Sequence, residues 1–280
     1  MQQVCDLHTH SYYSDGTASP AELVERSMAA GLSAVALTDH NTVAGLEEFE
    51  TAAKGKEIEA IAGVEITTTF KGKELHMVGL GIQAEDREKV TAFLSVMNQR
   101  KEESNRALVK RLGEAGYHLC YDEIRAKQQG NVNRAVIAAA LKEKGYVSEI
   151  QEAFEKLLKE KHGYYVPPQM ISSLEAITFL RSLKIVPVLA HPLLSLTEEE
   201  LVDFLQQAKL AGLVGMETIY VTYSPEEEAA AFRIAEEFDL LSSGGSDYHG
   251  DNKPDTKLGI GKGNLQIPLS FAHTLLEYKF

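Results

Sequence analysis

The chain has 280 residues, of which 44% are hydrophobic and 25% are charged, and its formal net charge is -13. This composition is typical of a globular protein with a large core and excludes general disorder. Binding to long nucleic acid needs a basic surface, so the acidic balance argues against that function. A small anionic substrate stays open, because bound metal reverses the local sign of charge.

The cysteines and the start of the chain bear on its location. Cys5 and Cys120 form no CxxC pair and no disulfide framework. The first residues have neither the basic region nor the apolar run of a signal peptide, and no apolar run approaches a membrane span. We expect a cytoplasmic protein with no membrane partner, while the sequence leaves the oligomeric state open.

The first third of the chain alternates short β-rich segments with helical patterns. Residues 4–8, 34–38 and 58–66 predict strands, and residues 20–30 and 42–53 predict helices. The first helix has Ser19 as N-cap and Glu22 to complete a capping box. Such alternation predicts parallel strands joined by crossover helices.

A hairpin is predicted over residues 66–80, with its turn at Lys71, Gly72 and Lys73. This hairpin would carry Glu65 and His76 toward one site.

Residues 86–161 predict consecutive helices without strands, broken near Gly116, Gly130 and Gly145. We interpret them as a helical insertion and assign residues 1–85 and 162–280 to a barrel. The insertion is rich in cations: Arg100, Lys101, Arg106, Lys110, Arg111, Arg125, Lys127 and Arg134. They form either a solvated helix face with intrahelical pairs or, for one or two of them, a site for substrate phosphate.

After the insertion the alternation resumes. Helix starts are predicted at Ser172, Thr197 and Ser224, each with a glutamate three residues later, and strands over residues 185–190, 213–217 and 240–243.

Six of the nine histidines lie at or near the ends of predicted strands, together with three acidic residues. They are His8, His10, His40, His76, His191 and His249, with Asp15, Glu65 and Asp247. His8 and His10 alternate along a strand and can share one ion. The loops after barrel strands converge, so the whole set predicts one metal cluster. Imidazole with carboxylate suits Zn, Mn or Fe, and several such ions suit phosphate-ester hydrolysis.

Three neighbouring features have open interpretations. Asp6 and Asp39 either orient metal-binding histidines through the second ring nitrogen or serve a cap or turn. The small residues 242–246 either allow close backbone approach to metal or phosphate or form a tight turn.

Several motifs together resemble those of the PHP (polymerase and histidinol phosphatase) family. They are Asp6-Leu7-His8-Thr9-His10, Ser14-Asp15-Gly16, Thr38-Asp39-His40, Ala190-His191-Pro192 and Gly245-Ser246-Asp247-Tyr248-His249-Gly250. The resemblance implies an α/β fold, a distorted (β/α)7 TIM-like barrel, with two or three bound Mn, Zn or Fe ions.

The resemblance also implies which residues share each ion. His8, His10, Glu65 and Asp247 would hold the first ion, and Glu65 would bridge to a second held with His76 and His191. Asp15, His40 and His249 would hold the third.

The insertion resembles that of a subgroup acting on nucleotides, which includes a 3',5'-nucleotide bisphosphate phosphatase and a 5'-to-3' exoribonuclease for short RNA. There a Gly-Arg-Pro-His segment helps to bind phosphate. Here the stretch is Asn133-Arg134-Ala135-Val136, so Arg134 is the candidate for binding substrate and Val136 replaces the histidine.

We therefore expect a phosphoesterase acting by attack of metal-bound hydroxide on a 3',5'-bisphosphonucleotide or short 5'-phosphorylated RNA. Glu65, His191, Asp247 and His249 are the candidate catalytic residues. The leaving group would take its proton from a metal-bound water or from a histidine such as His191 or His249. The other hypotheses are a histidinol-phosphatase-like or other small-molecule phosphatase, a metal-dependent amidohydrolase, and a noncatalytic nucleotide-binding module.

Overall fold

The computed structural model describes residues 3–128 and 132–280. The break predicted near Gly130 lies outside these residues. The chain divides into two compact units, one made of residues up to Thr91 with Met170–Phe280, the other of Ala92–Gln169. The sequence predicted the helical insertion over residues 86–161, whereas the second unit of the structure is Ala92–Gln169.

The first unit is built on one sheet, which has eight strands within the described residues. In chain order they are β1 Val4–Asp6, β2 Ala34–Leu37, β3 Glu59–Phe70, β4 Lys73–Leu80, β5 Val186–Ala190, β6 Gly215–Tyr220, β7 Leu241–Gly245 and β8 Ile267–Pro268. Strands β2, β5 and β6 are buried throughout, as expected for strands covered on both faces.

The strand order is β7-β6-β5-β4-β3-β2-β1-β8. Strands β1 to β3 are parallel, β4 is antiparallel to both neighbours, and β5 to β7 are parallel again. Past the end of β1, the Leu7 N–H donates to the Gly244 carbonyl at 3.1 Å and the Asp247 N–H donates to the His8 carbonyl at 2.9 Å. These bonds join the first strand to the seventh and nearly close the barrel.

The α/β barrel confirms the expected fold class. The sheet has one strand more than the expected seven, the two-residue strand β8, which is antiparallel to β1. A strand this short carries no alternating pattern, so the sequence could not indicate it.

Helices follow the barrel strands: α1 Pro20–Ala29, α2 Leu46–Ala53, α7 Ser173–Ser182, α8 Glu198–Ala211, α9 Pro225–Glu237 and α10 Leu269–Leu276. Four of them begin with capping boxes, at Ser19, Ser172, Thr197 and Ser224, which confirms the predicted helix starts. Because each box satisfies free backbone N–H groups locally, these starts are fixed by short sequence signals.

The hairpin between β3 and β4 is also confirmed. Lys71 and Gly72 form its two-residue turn, both with positive φ (49° and 80°), which is typical of tight hairpins. Glu65 lies in the middle of β3 and not at its end, because the strand continues to Phe70.

The second unit is helical. Most residues of the long helix α3 Arg87–Glu114 belong to this unit. The helices α4 Tyr121–Ala126, α5 Arg134–Glu143 and α6 Ile150–Ala153 follow it. Its own core includes Leu108, Leu112, Ile137, Leu141 and Leu158, all completely buried. No helix in the described part of the chain is long and apolar enough to cross a membrane.

Candidate metal centre

The metal candidates that follow β1 are completely buried. His8 and His10 are both 0% exposed, and their ring centroids lie 5.1 Å apart. Backbone bonds from Asp247 N to His8 O (2.9 Å) and from His10 N to Tyr248 O (2.9 Å) fix this segment against the segment after β7. The alternation of the HxH motif therefore brings both imidazoles to one place.

Glu65 is the centre of the cluster and is 1% exposed. Its two oxygens approach five imidazole nitrogens: Oε2 lies 3.2 Å from His8 Nε2, 3.3 Å from His10 Nε2 and 2.9 Å from His40 Nδ1, and Oε1 lies 2.7 Å from His76 Nδ1 and 3.1 Å from His191 Nε2. The carboxylate divides the histidines into two sets, which is the arrangement that a bridging ligand needs.

Asp247 and Asp15 complete the predicted set. Asp247 Oδ1 lies 3.2 Å from His10 Nε2 and 3.3 Å from His249 Nδ1. Asp15 Oδ1 lies 3.2 Å from His249 Nε2, and Asp15 Oδ2 lies 3.9 Å from His40 Nε2. Every one of the nine side chains singled out in the sequence, including all four catalytic candidates, lies in this cluster.

The nine residues form four overlapping groups whose donor atoms lie within 4.8 Å of one another. The groups are His8-His10-Asp247, His8-Glu65-His191, His40-Glu65-His76 and His10-Asp15-His40-His249. Each residue offers one donor atom to its group, so the spacing fits ions that share ligands.

Five buried polar atoms of the cluster make no hydrogen bond in the described structure: His8 Nε2, His10 Nε2, Asp15 Oδ1, His40 Nδ1 and Glu65 Oε2. Some of them lie within ion-pair distance of one another, but their mutual geometry is not that of hydrogen bonds. Unsatisfied buried polar atoms are costly and rare. These five converge, and bound cations would satisfy all of them, so the residues present fit divalent metal.

The electrostatics of the cluster agree with this fit. Burial alone would raise the pKa of Glu65, but His40, His8 and His76 hold it well below its usual range. Burial would lower the pKa of His76, yet the Glu65 charge raises it to about 10. Burial together with His249 and His40 lowers the pKa of His10 to about 3. The carboxylates thus create a strong negative potential, and binding of divalent cations there would displace protons.

Glu217, in β6, is an important residue that the sequence analysis missed. It is 1% exposed. One oxygen lies 2.8 Å from His8 Nδ1 and the other accepts the His191 backbone N–H at 2.6 Å. His191 has a φ of 29°, a strained value that needs such support. Glu217 therefore orients two metal candidates, a role that no local sequence motif marks.

The interpretation of Asp6 and Asp39 as carboxylates that orient histidine rings was wrong. Asp6 accepts hydrogen bonds from the Ser246 N–H (2.9 Å), the Ser246 hydroxyl (2.6 Å) and the Gly259 N–H (2.8 Å). Asp39 accepts from the backbone and hydroxyl of Ser11 and from the Ser14 hydroxyl. Both fix the loops that carry the ligands, which is closer to the alternative turn role.

The small residues before Asp247 lie mostly in a strand and not in a tight turn, which was one of the two roles that the sequence left open. Residues Leu241–Gly245 form β7. A Cβ on Gly245 would collide with the backbone and Cβ of His8, and one on Gly244 would lie 2.8 Å from the Ile219 carbonyl oxygen. These glycines therefore let β7 approach its neighbours closely.

Tyr220 and Lys253 were also missed. The Tyr220 hydroxyl donates to Asp247 Oδ2 at 2.7 Å, and Lys253 Nζ donates to the same oxygen at 2.6 Å. Asp247 itself has a φ of 53°. A tyrosine and a lysine 27 and 6 residues away give no pattern that links them to this aspartate in the sequence.

In the helical unit, most cations have ordinary partners. Arg106 pairs with Glu102 and Asp122, Lys127 pairs with Glu143, and Arg111 donates to a backbone carbonyl. These contacts favour the solvated-face interpretation for them.

Arg134 has an aromatic contact, as Arg106 has with Tyr121 at 4.4 Å. It is the first residue of α5, and its guanidinium lies 4.3 Å above the centroid of the Tyr165 ring. Val136, which replaces the histidine of the subgroup, is partly buried against the core of the helical unit. Arg134 thus keeps its guanidinium against an aromatic ring, while Val136 serves packing.

Histidine and carboxylate ligands gathered at one end of a nearly closed β-barrel define the class of metal-dependent hydrolases. The PHP domain model matches residues 6–166. The chain is 36% identical over 250 residues to a 5'-3' exoribonuclease of Haemophilus influenzae, covering 89% of this chain and 91% of that protein. It is 29% identical over 261 residues to a 3',5'-nucleoside bisphosphate phosphatase of Chromobacterium violaceum, covering 91% and 90%.

Solved structures share the fold. A Bifidobacterium adolescentis protein, inferred to be a metal-dependent phosphoesterase, superposes with a TM-score of 0.84 at 28% identity, covering 98% of this chain and 96% of its own. A Chromobacterium violaceum structure described as an amidohydrolase with bound sulfate has a TM-score of 0.81 at 28% identity, covering 91% and 89%. The chain belongs to the PHP family. It is a metal-dependent hydrolase of phosphate esters.

Proposed function

We propose that this protein hydrolyses a phosphate ester of a small nucleotide (a 3',5'-bisphosphonucleotide) or of a short 5'-phosphorylated RNA, using two or three Mn, Zn or Fe ions. One observation carries the proposal: five buried nitrogen and oxygen atoms make no hydrogen bond among the described residues, and they belong to side chains that cluster within ligand distance. Ligand sets of this composition suit these metals, and several ions together suit phosphate esters.

We assign three ion positions around Glu65. The first uses His8, His10, Glu65 and Asp247. The second uses Glu65 with His76 and His191, whose nitrogens lie 2.7 and 3.1 Å from Glu65 Oε1.

The third position uses Asp15, His40 and His249. Its support is the 3.2 Å approach of Asp15 Oδ1 to His249 Nε2 and the proximity of His40 to Asp15.

Divalent ions bound here would make water acidic enough to attack near neutral pH and would neutralise charge on the phosphoryl group. The protein's own contribution is to hold the donor atoms. Glu217 fixes the ring of His8 and the backbone of His191, and Tyr220 with Lys253 fixes Asp247. His191, 13% exposed, and His249, 5% exposed, are the alternative proton donors to the leaving oxygen.

The nucleotide substrate is supported by the relatives that act on RNA and on a nucleoside bisphosphate and by Arg134. The guanidinium carbon of Arg134 lies 4.3 Å from the centroid of the Tyr165 ring. A guanidinium carries a planar fork of N–H groups that matches two phosphate oxygens. We propose that Arg134 binds a substrate phosphate. Val136 cannot add the second donor that histidine gives the subgroup, so the preferred nucleotide can differ from those of the relatives.

The test is hydrolysis of a panel of substrates after reconstitution with Mn, measured as release of inorganic phosphate, of mononucleotides from the RNA, or of amine from the amide. The panel contains 3',5'-bisphosphonucleotides, short 5'-phosphorylated RNA, histidinol phosphate, an aryl phosphate and a simple amide. We expect selective turnover of a nucleotide or RNA, lost after treatment with a chelator and restored by Mn. Hydrolysis of the amide alone would instead support an amidohydrolase, and tight nucleotide binding without turnover would support a binding module.

A further inference from the structure

We propose that Lys253 is a substrate-binding residue of the metal centre, whose ammonium contacts a phosphoryl oxygen of the substrate while also anchoring Asp247. This inference rests on the proposed phosphoesterase function. It adds a contact that belongs to the barrel unit itself, separate from Arg134.

The two oxygens of Asp247 have different surroundings. Oδ1 faces the imidazoles of His10 and His249 at 3.2 and 3.3 Å. Oδ2 accepts the Tyr220 hydroxyl at 2.7 Å and Lys253 Nζ at 2.6 Å. An ion can therefore use only Oδ1 without displacing these donors, and Lys253 Nζ is separated from that ion by a single carboxylate group.

Tyr220 and Lys253 differ in the number of hydrogen-bond donors that remain free after they bind Asp247. The Tyr220 side chain is buried, and its one hydroxyl proton is used on Asp247. The Lys253 side chain is 43% exposed, and its ammonium has three donors, of which Asp247 takes one. Lys253 can therefore hold the aspartate and still donate to a ligand that enters from solvent.

The backbone holds Lys253 in this position. Its N–H donates to the Gly250 carbonyl at 3.1 Å, and its carbonyl accepts from the Thr256 N–H at 2.9 Å. Pro254 follows directly and restricts the chain further. The ammonium is thus presented by a fixed turn that begins at the metal candidate His249.

The charge of the site explains why a cation is useful here. The cluster contains three carboxylates, Glu65, Asp247 and Asp15, each with an oxygen within 3.3 Å of an imidazole nitrogen. Bound cations would offset their charge before a phosphate ester approaches. An ammonium beside the cluster would add a directed N–H donor to the charge that bound cations supply, and it would stabilise negative charge on the phosphoryl oxygens. The nearby Arg26 is directed elsewhere, donating to the Tyr248 hydroxyl at 2.8 Å.

The experiment compares three variants, Lys253→Met, Tyr220→Phe and Lys262→Met, with the wild type. Lys262 is an exposed lysine of the same segment and is the matched control for loss of one positive charge. The readouts are the Mn content, the affinity of the Mn-loaded protein for inorganic phosphate by calorimetry, and kcat/KM on the substrate that the wild type turns over.

We expect Lys253→Met to weaken phosphate binding roughly 10- to 100-fold at saturating Mn, the range for loss of a charged hydrogen bond. This loss should exceed that in Tyr220→Phe, which removes only an anchor of Asp247. Lys262→Met should bind phosphate like the wild type, and Lys253→Arg should recover part of the affinity.

Two results would overturn the inference. If Lys253→Met binds phosphate as tightly as Tyr220→Phe, Lys253 only anchors Asp247. If Lys262→Met loses as much phosphate affinity as Lys253→Met, the effect comes from net charge and not from a contact. Failure of the proposed function is distinguishable from both. In that case the Mn-loaded wild type itself would neither bind phosphate nor hydrolyse any phosphate ester.

Discussion

The barrel unit and the helical unit use charged residues in opposite ways. In the barrel, charged and polar side chains such as His8, His10 and Glu65 are at most 1% exposed, and they lie together in one cluster. In the helical unit, the ion pairs between Arg106 and Asp122 and between Lys127 and Glu143 are exposed. Exposed pairs contribute little, whereas buried charges persist only where a function or a partner requires them.

This difference separates two questions about the protein. The reaction class follows from the barrel, because its ligand set is nearly complete in itself. The choice of substrate is a separate question, for which we propose a role of Arg134, whose guanidinium lies against Tyr165 in the helical unit. The predictions below test this division, from the change that should matter most to the one that should matter least.

Glu65→Gln should have the largest effect. The amide removes the negative charge that five imidazoles share, so ions should be lost and turnover should fall by more than the roughly 10- to 100-fold typical of residues behind the ligands. Metal content by elemental analysis and phosphate release measure both. Glu57→Gln, the same change at an exposed position, is the control, and a full metal content in Glu65→Gln would contradict the bridging role.

Glu217→Gln should have a smaller effect, on both metal affinity and turnover, of about 10- to 100-fold. The amide can still accept from one partner, but its NH₂ group would face the other, either the His8 ring or the His191 backbone N–H. Titration of the stripped variant with Mn gives the affinity. Wild-type affinity in this variant would show that the position of His191 does not depend on Glu217.

Arg134→Ala should change substrate binding and leave the metal centre intact. Loss of a charged hydrogen bond to phosphate predicts a KM about 10- to 100-fold higher, with the same Mn content. Arg134→Lys should recover little, because an ammonium lacks the planar fork. Unchanged kinetics on the true substrate would remove Arg134 from the site and leave the barrel as the source of specificity.

Lys127→Met should have the smallest effect. Its pair with Glu143 has both side chains more than 60% exposed, and such pairs are worth about 0–1 kcal/mol. Thermal unfolding and kcat/KM should both stay close to wild type. A large loss of activity would show that the paired cations of the helical unit also serve the substrate.

The clustering of the metal candidates could be predicted because its signals are local. The HxH spacing, the strand ends and the capping boxes each depend on a few neighbouring residues, and parallel strands bring their ends together by geometry. The convergence of His8 and His10 was therefore predictable. Glu65 was expected at the end of its strand and lies in the middle of β3, although it still joins the cluster.

The supporting residues could not be predicted, because their roles depend on tertiary contacts. Glu217 acts through β5 and the segment after β1, neighbours fixed only when the barrel closes. The role of Asp6 stayed open in the sequence for the same reason, since its hydrogen bonds go to Ser246 and Gly259, 240 and 253 residues away. Strand β8 escaped prediction because two residues carry no periodicity.

Anomalous diffraction from crystals of the protein loaded with Mn tests the central claim most directly. The account predicts two or three anomalous peaks at ligand distance from the cluster, with Glu65 lying between the first and the second. A single peak that does not contact Glu65, or peaks outside the nine side chains, would contradict it.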